Sequence, residues 1–372
     1  MRNKKLALVD HSFHQKSNAT GFLIDLLEMH FHVKVFWDEA WNGGYSPSLE
    51  EIARQGYDTI VLFQLMGYSE EELKPIANKN LILIPMFDHS FTKPFEFWNK
   101  FRYAKIINFS RRFHKKLKRF GLISRYFQYF PSPHDFPSPD WNRHPLSGFF
   151  WQRTDQITWN HIKELIKQSD FKKIHIHTAV DPPGFPVTLP SESEREKYRV
   201  TISQWYPEKK DYLNTLNHSN VYFAPRLREG IGMAFLEAMA KGKCVVAPNH
   251  STMNEYIIHR KTGILYEPDN PQPLDFSNLN IKEIGSNARE YIEQGHAGWL
   301  DAQKELIDFI DQPTGKPSFY KYLLCKVPAA AKKKIKLHFP ALANGLNKFR
   351  KYTGKKFRRL TKPGGLFSSP KK

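Results

Sequence analysis

Two glutamates, Glu229 and Glu237, stand eight residues apart in a stretch that also carries Gly230 and Gly232. A glycine-containing loop directly before a helix leaves backbone amides pointing outward at the positive end of the helix dipole, which favours bound anions. Carboxylates near such an end accept hydrogen bonds from hydroxyl groups. The combination suits a ligand with a charged middle and two hydroxyl-rich ends, such as a nucleotide-sugar.

The residues around these groups predict a βαβ unit with two parallel strands. Residues 221–224 and 244–247 are short apolar runs typical of buried strands, and a helix is expected from near Gly232 to Gly242. Many Rossmann-like proteins contain such a unit, and acids on its helix are often simply solvated. The βαβ unit alone therefore does not decide the function.

The longer sequence carries a more specific signal. EGIGMAFLEAMAKGKCVVA, followed by NEYI and TGILYEPD, resembles the donor-binding signature of retaining GT-B glycosyltransferases of the family 4 type. The resemblance extends weakly to about Trp299, an aromatic in the family's terminal helix. It implies that Glu229 contacts the donor sugar and Glu237 the ribose. The donor-binding residues it implies also include Gly230, Gly232, Met233 and Glu255.

The segment MFDHSF places Asp88 and His89 after a predicted strand, at residues 81–85. In open α/β sheets, ligands bind at the carboxyl ends of the strands. Family members commonly have a His at such an end near the reacting sugar, so His89 is the first candidate for the catalytic centre and Asp88 the second. An alternative is that both residues only cap the following turn.

Arg153 follows another predicted strand, at residues 147–152. In the family, an Arg and a nearby Lys at this place neutralise the donor diphosphate, where charge develops on the leaving group. Arg153 matches the Arg, but Thr158 occupies the place of the Lys. Either Arg153 acts alone, or Arg226 or Arg228 in the signature loop supplies the second charge.

The formal net charge of +19 belongs mainly to the end of the chain. Residues 313–372 hold seventeen of the 56 Lys and Arg and neither Asp nor Glu, so the preceding residues are close to neutral. Basic clusters with interspersed aromatics favour an anionic membrane surface, each base contributing on the order of 1 kcal/mol. Nucleic-acid binding and a solubilising tail are the alternatives, and nucleic acid is not expected as a partner.

The rest of the chain predicts an α/β protein with two domains. Apolar runs indicate strands at residues 6–9, 33–36, 59–63, 81–85, 106–109, 147–152, 174–178 and 200–203, with helices at 22–29, 69–74, 111–120, 161–168, 209–217 and 288–310. Residues 11–21 are expected to form a polar loop. Five prolines between positions 131 and 145 favour a domain boundary.

We therefore expect the GT-B architecture, two Rossmann-like domains facing each other across a cleft, with a basic C-terminal tail. The expected parts are an acceptor domain at residues 1–140, a nucleotide-sugar donor domain at 146–312, and the tail at 313–372. Two well-separated cysteines and the absence of a signal peptide or an apolar membrane-spanning run indicate a cytoplasmic protein, held peripherally at the inner face of the plasma membrane by the tail.

The expected reaction is metal-independent transfer of a hexosyl-type group from a nucleotide-sugar to a hydroxyl of a glycan or lipid-linked acceptor, with retention. No Asp-x-Asp motif or metal-ligand spacing is present, so no metal or other cofactor is expected. Family resemblance favours cell-envelope polysaccharide, such as capsule or lipopolysaccharide. The alternatives are a nucleotide-sugar epimerase with the same fold and a non-catalytic carbohydrate- or nucleic-acid-binding protein.

Overall fold

A computed structural model describes residues 4–137, 145–180, 184–206 and 208–314. The chain divides into two units, Met1–Pro317 and Ser318–Lys372. Residues 315–372, which hold Cys325 and all but the first two residues of the predicted basic tail, lie outside the described ranges. None of the helices in the described ranges is long and apolar enough to cross a membrane.

The first half of the chain forms a six-stranded parallel sheet, which we call the first sheet. Its strands are β1 Lys5–His11, β2 His32–Asp38, β3 Thr59–Phe63, β4 Asn80–Ile84, β5 Lys105–Asn108 and β6 Ile123–Tyr126. They lie in the order β2-β1-β3-β4-β5-β6, and every neighbouring pair is parallel. The continuous apolar runs in β1 and β3 are fully buried, as expected for strands covered on both faces. Strand β6 was not predicted.

Seven helices accompany the first sheet. They are α1 Phe13–Ser17, α2 Gly21–Glu28, α3 Leu49–Arg54, α4 Glu70–Leu73, α5 Phe87–Ser90, α6 Phe95–Asn99 and α7 Arg111–Arg119. The predicted capping box of α4 is confirmed, because Ser69 Oγ accepts from Glu72 N while Glu72 Oε2 accepts from Ser69 N. The expectation that residues 11–21 form only a loop is wrong: α1 lies inside this segment.

The second half forms another six-stranded parallel sheet, the second sheet. Its strands are β7 Ser147–Trp151, β8 Lys173–His177, β9 Thr201–Ser203, β10 Val221–Phe223, β11 Cys244–Pro248 and β12 Ile264–Tyr266. Their order is β12-β11-β10-β7-β8-β9. The predicted parallel pairing within the βαβ unit is confirmed, with Val221 opposite Cys244. Cys244 is a buried free thiol whose pKa is raised by burial to about 12.

The helices of the second half are α8 Trp159–Ile166, α9 Glu192–Lys197, α10 Lys209–Asn217, α11 Met233–Ala240, α12 Met253–Tyr256 and α13 Ile281–Asp311. The last of these returns to the first sheet. Its Trp299 is buried, with its ring centroid 5.5 Å from that of Tyr129. Lys105 Nζ at the start of β5 donates to the carbonyl oxygen of Phe309 at 2.7 Å. One helix therefore packs on both halves.

The direction of the strands determines which edge of each sheet can contact a ligand. Asp88 follows the carboxyl end of β4, and Arg226 follows the carboxyl end of β10, yet their side chains meet at 3.2 Å. Gly230 after β10 likewise lies against Met86 after β4. The carboxyl ends of the two sheets thus face each other, and the space between them is the crevice where α/β proteins place ligands.

Candidate active site

The loop from β10 to α11 is shaped by its glycines. Gly232 is the residue before α11 and has φ +90°, a left-handed conformation that disfavours residues with a Cβ atom. A Cβ added there would lie 1.9 Å from Cε1 of Phe235, and one added to Gly230 would lie 2.9 Å from the Met86 side chain. The sequence folds this way because only glycine allows both the turn and the close approach. Met233 is the first residue of the helix.

The two glutamates of the signature are both buried, with Glu229 7% and Glu237 5% exposed. Glu229 lies in the loop, and Glu237 lies on α11. Buried carboxylates require partners, and Lys209 Nζ at the start of α10 lies 2.5 Å from Glu237 Oε1. The structure therefore brings the two predicted acids to the same crevice and adds a cation that was not predicted.

Lys209 was missed because nothing in its local sequence distinguishes it from its neighbour Lys210, which pairs with Glu208. The usable signal was its position in the first turn of a helix that follows the carboxyl end of β9. By contrast, Thr158, which stands where a Lys was expected, caps α8: its backbone N donates to His161 Nδ1 at 3.2 Å. Lys209 on α10 thus supplies a positive charge beside Glu237.

Arg153 lies just beyond β7, with its guanidinium carbon 4.6 Å from the centroid of the Trp151 ring. This stacking holds the cation at the carboxyl edge of the second sheet. Arg226, named as a substitute for the missing Lys, is instead paired with Asp88.

Asp88 and His89 both lie on α5, but in different surroundings. Burial disfavours the charged form of Asp88, yet the hydrogen bond from His89 and the charges of His89 and Arg226 outweigh burial and hold its pKa below the ordinary value. The Asp88 side chain is 14% exposed and that of His89 73%. The structure places Asp88 in contact with the signature loop, whereas His89 lies largely in solvent at its side.

Glu255 has partners on the other half of the molecule. Its Oε1 accepts from Ser110 Oγ at 2.8 Å and from Arg112 N at 3.1 Å, and its Oε2 accepts from Arg111 N at 2.5 Å. The carboxylate therefore caps the amino terminus of α7, where the helix dipole favours a negative charge. Its role in donor binding stays a prediction.

The described residues contain no group of three or more His, Cys, Asp or Glu side chains that could hold a metal ion. The positive groups at the crevice include Arg153, Lys209, Arg226 and the amino terminus of α11.

Part of the chain matches a known protein family. Residues 191–297, which include the signature loop and both buried glutamates, match the model of the glycosyl transferases group 1 family. They form a glycosyl transferases group 1 domain. Together with the fold, this domain makes the chain a glycosyltransferase. No curated protein sequence matches the chain.

Solved structures share the fold at low sequence identity. Sucrose-phosphate synthase from Thermosynechococcus elongatus is 15% identical, with a TM-score of 0.58 over 82% of this chain and 100% of that one. HepE from Anabaena, solved with UDP and glucose, is 14% identical, with a TM-score of 0.55 over 82% and 100%. The lipopolysaccharide outer core galactosyltransferase WaaB is 15% identical, with a TM-score of 0.55 over 82% and 99%. The glycosyltransferase therefore has the expected GT-B fold.

Proposed function

We propose that this glycosyltransferase transfers a hexosyl-type group from a nucleotide-diphosphate sugar to a hydroxyl of a glycan or lipid-linked acceptor, with retention and without a metal. The observation that carries the proposal is the Gly232-capped amino terminus of α11 with Glu229 and Glu237 buried beside it. A diphosphate matches the helix end, and the acids match hydroxyl-rich groups on both sides of it.

Each donor-site residue then has a role. The backbone at Gly230, Gly232 and Met233 binds the diphosphate. Arg153 and Lys209 balance its charge, which increases as the diphosphate leaves. Glu229 accepts from hydroxyls of the transferred sugar, and Glu237 accepts from the ribose while Lys209 orients its carboxylate.

The reacting centre lies between the two sheets, where Asp88 meets Arg226. In a front-face transfer, the bond from sugar C1 to the diphosphate oxygen breaks as the acceptor oxygen bonds to C1 on the same face. The acceptor proton passes to the departing diphosphate oxygen, so no protein base is required. Asp88 and His89 line this centre and orient the reactants. The anomeric configuration of the product, measured by proton NMR, tests retention.

The donor is proposed to be a uridine nucleotide-sugar, because HepE, which shares the fold, was solved with UDP and glucose. The acceptor is proposed to belong to cell-envelope polysaccharide, in line with the fold shared with a lipopolysaccharide galactosyltransferase. We further propose a cytoplasmic protein that binds the inner face of the plasma membrane peripherally through residues 313–372. Vesicles with and without anionic lipid would test that attachment.

Thermal unfolding with UDP, GDP, ADP and their common sugars tests the donor site. A ligand at about a hundred times its Kd adds ~2.7 kcal/mol to stability. We expect UDP or UDP-sugars to raise the Tm of the wild type, with and without EDTA. Glu237→Ala should remove this rise, because the ribose loses its acceptor. Glu290→Ala on the exposed face of α13 is the matched control. An undiminished rise in Glu237→Ala, or none in the wild type, would contradict the proposal.

A further inference from the structure

Four rings gather at the carboxyl ends of β1, β2 and β9. The Phe13 ring centroid lies 5.8 Å from that of Trp41 and 6.0 Å from that of Trp205, with both pairs edge to face. His11 stacks on Trp41 at 5.4 Å. We call His11, Phe13, Trp41 and Trp205 the aromatic cluster. Three of its rings belong to the first half and Trp205 to the second, so the cluster bridges the two halves at the crevice.

The two tryptophans of the cluster are exposed but held in place. Trp41 is 45% exposed and Trp205 40%, unusually high for this residue type. Trp41 is fixed by stacking on His11 and by its Nε1–H, which donates to Ser12 Oγ at 2.7 Å. Lys16 Nζ lies 4.5 Å from the centroid of the Trp205 ring. Exposed aromatic surface in a fixed orientation is preorganised for a ligand.

A polar group of defined orientation lies beside the cluster. Asp10 is completely buried and accepts from Thr20 Oγ1, His11 N and His14 Nδ1, each at 2.7 Å. Asp10 accepts from His14 Nδ1, and Nε2 is the other hydrogen-bonding atom of the ring. Within the described ranges, Asp10 is the hydrogen-bond partner of the His14 ring.

The cluster is connected to the donor side of the crevice through Trp205. Its ring centroid lies 5.9 Å from that of Trp151, and Trp151 stacks with Arg153. A molecule resting on the cluster is therefore separated by one indole from the cation assigned above to the donor diphosphate. This is the place where a second substrate would meet the donor.

We propose that the aromatic cluster and His14 form the acceptor subsite, and that its occupant is a sugar ring. This rests on the proposed glycosyl transfer. A sugar ring has an apolar C–H face, which packs on an indole, and a rim of hydroxyls, one of which forms a hydrogen bond with His14 Nε2. A lipid chain would use the rings but leave the imidazole nitrogen without a partner. The cluster thus selects a carbohydrate acceptor.

Saturation-transfer NMR with octyl β-D-glucoside in the presence of UDP tests this subsite, because the probe carries both a sugar ring and an alkyl chain. We expect saturation of the sugar C–H protons in the wild type, reduced about threefold or more in Trp41→Ala and Trp205→Ala and preserved in Trp41→Tyr. His14→Leu should also reduce it. The matched control is Tyr103→Ala, since Tyr103 is 60% exposed before β5, at the amino end of the sheet.

Saturation of mainly the alkyl chain that depends on Trp41 would overturn the proposal in favour of a lipid site. Sugar signals unchanged in both tryptophan variants would also overturn it. The UDP-induced rise in Tm is recorded on the same samples and should be unaltered in all cluster variants. In the wild type, absent sugar signals with an intact UDP response would be a failure of the subsite alone, whereas an absent UDP response would be a failure of the proposed transfer.

Discussion

The two halves of this glycosyltransferase share a scaffold but differ at the edge that faces the crevice. Each is a parallel sheet of six strands. At the carboxyl ends of the second sheet lie a glycine loop, two buried glutamates, Arg153 and Lys209. At the carboxyl ends of the first sheet lie His11, Phe13 and Trp41 and the Asp10–His14 pair.

The two sheets are the same kind of scaffold, and the residues at their carboxyl edges determine the chemistry of each half. The parallel sheets place loops and helix ends at a common edge, and the residues there decide what binds. Closely paired opposite charges around a helix end suit a charged, hydroxylated ligand. Exposed rings beside one imidazole suit a neutral sugar ring. The contrast predicts that substitutions on the two sides will affect different substrates.

The largest effect on the donor side is expected from a substitution of Gly232. We expect Gly232→Ala to reduce the free energy of unfolding by about 2 kcal/mol or more, because φ +90° disfavours a Cβ atom and the new atom would overlap Phe235. UDP stabilisation should be lost as well. Urea unfolding measures the first effect. Gly298→Ala in α13 is the control, since a Cβ there meets nothing within 4 Å; stability that falls equally in both would argue against the role of the turn.

Lys209→Ala should weaken UDP binding on the donor side and leave the acceptor side unchanged. Removing this cation leaves Glu237 buried without its partner and takes positive charge from the crevice. We expect the Kd for UDP to rise about tenfold, a charged hydrogen bond contributing roughly 1.5 kcal/mol, with octyl glucoside signals unchanged. Isothermal titration measures the change. Lys210→Ala removes an adjacent exposed Lys that pairs with Glu208, and an equal loss in that variant would refute a specific role for Lys209.

The smallest effect is expected at Glu255, where the halves meet. Glu255→Gln should reduce the free energy of unfolding by about 1 kcal/mol, because α7 loses a charged cap. UDP affinity should stay the same, since both carboxylate oxygens already have partners. A marked fall in UDP affinity would instead support the donor role implied by the family. Glu305→Gln, which breaks the exposed pair with Arg125, should change stability little.

Much of this arrangement follows from sequence because it is local. The β10–α11–β11 unit and the positions of Glu229 and Glu237 depend on short apolar runs and glycines within one stretch. The contacts of Lys209 and Glu255 do not follow from local sequence, because their partners lie 28 and about 145 residues away. Helix α1 was missed because four of its five residues are polar and none of its side chains is buried, so no apolar periodicity marks it.

Helix α13 limits how far the two halves can move apart. Near its start, Arg289 donates to the carbonyl oxygen of Ala240 in the second half, and near its end Phe309 accepts from Lys105 of the first sheet. An unbroken helix of 31 residues fastened at both ends is a brace. Widening the crevice beyond a small rotation must bend this brace or detach one of its ends. The rate at which substrates enter and products leave is then tied to the stiffness of a single helix remote from the reacting atoms.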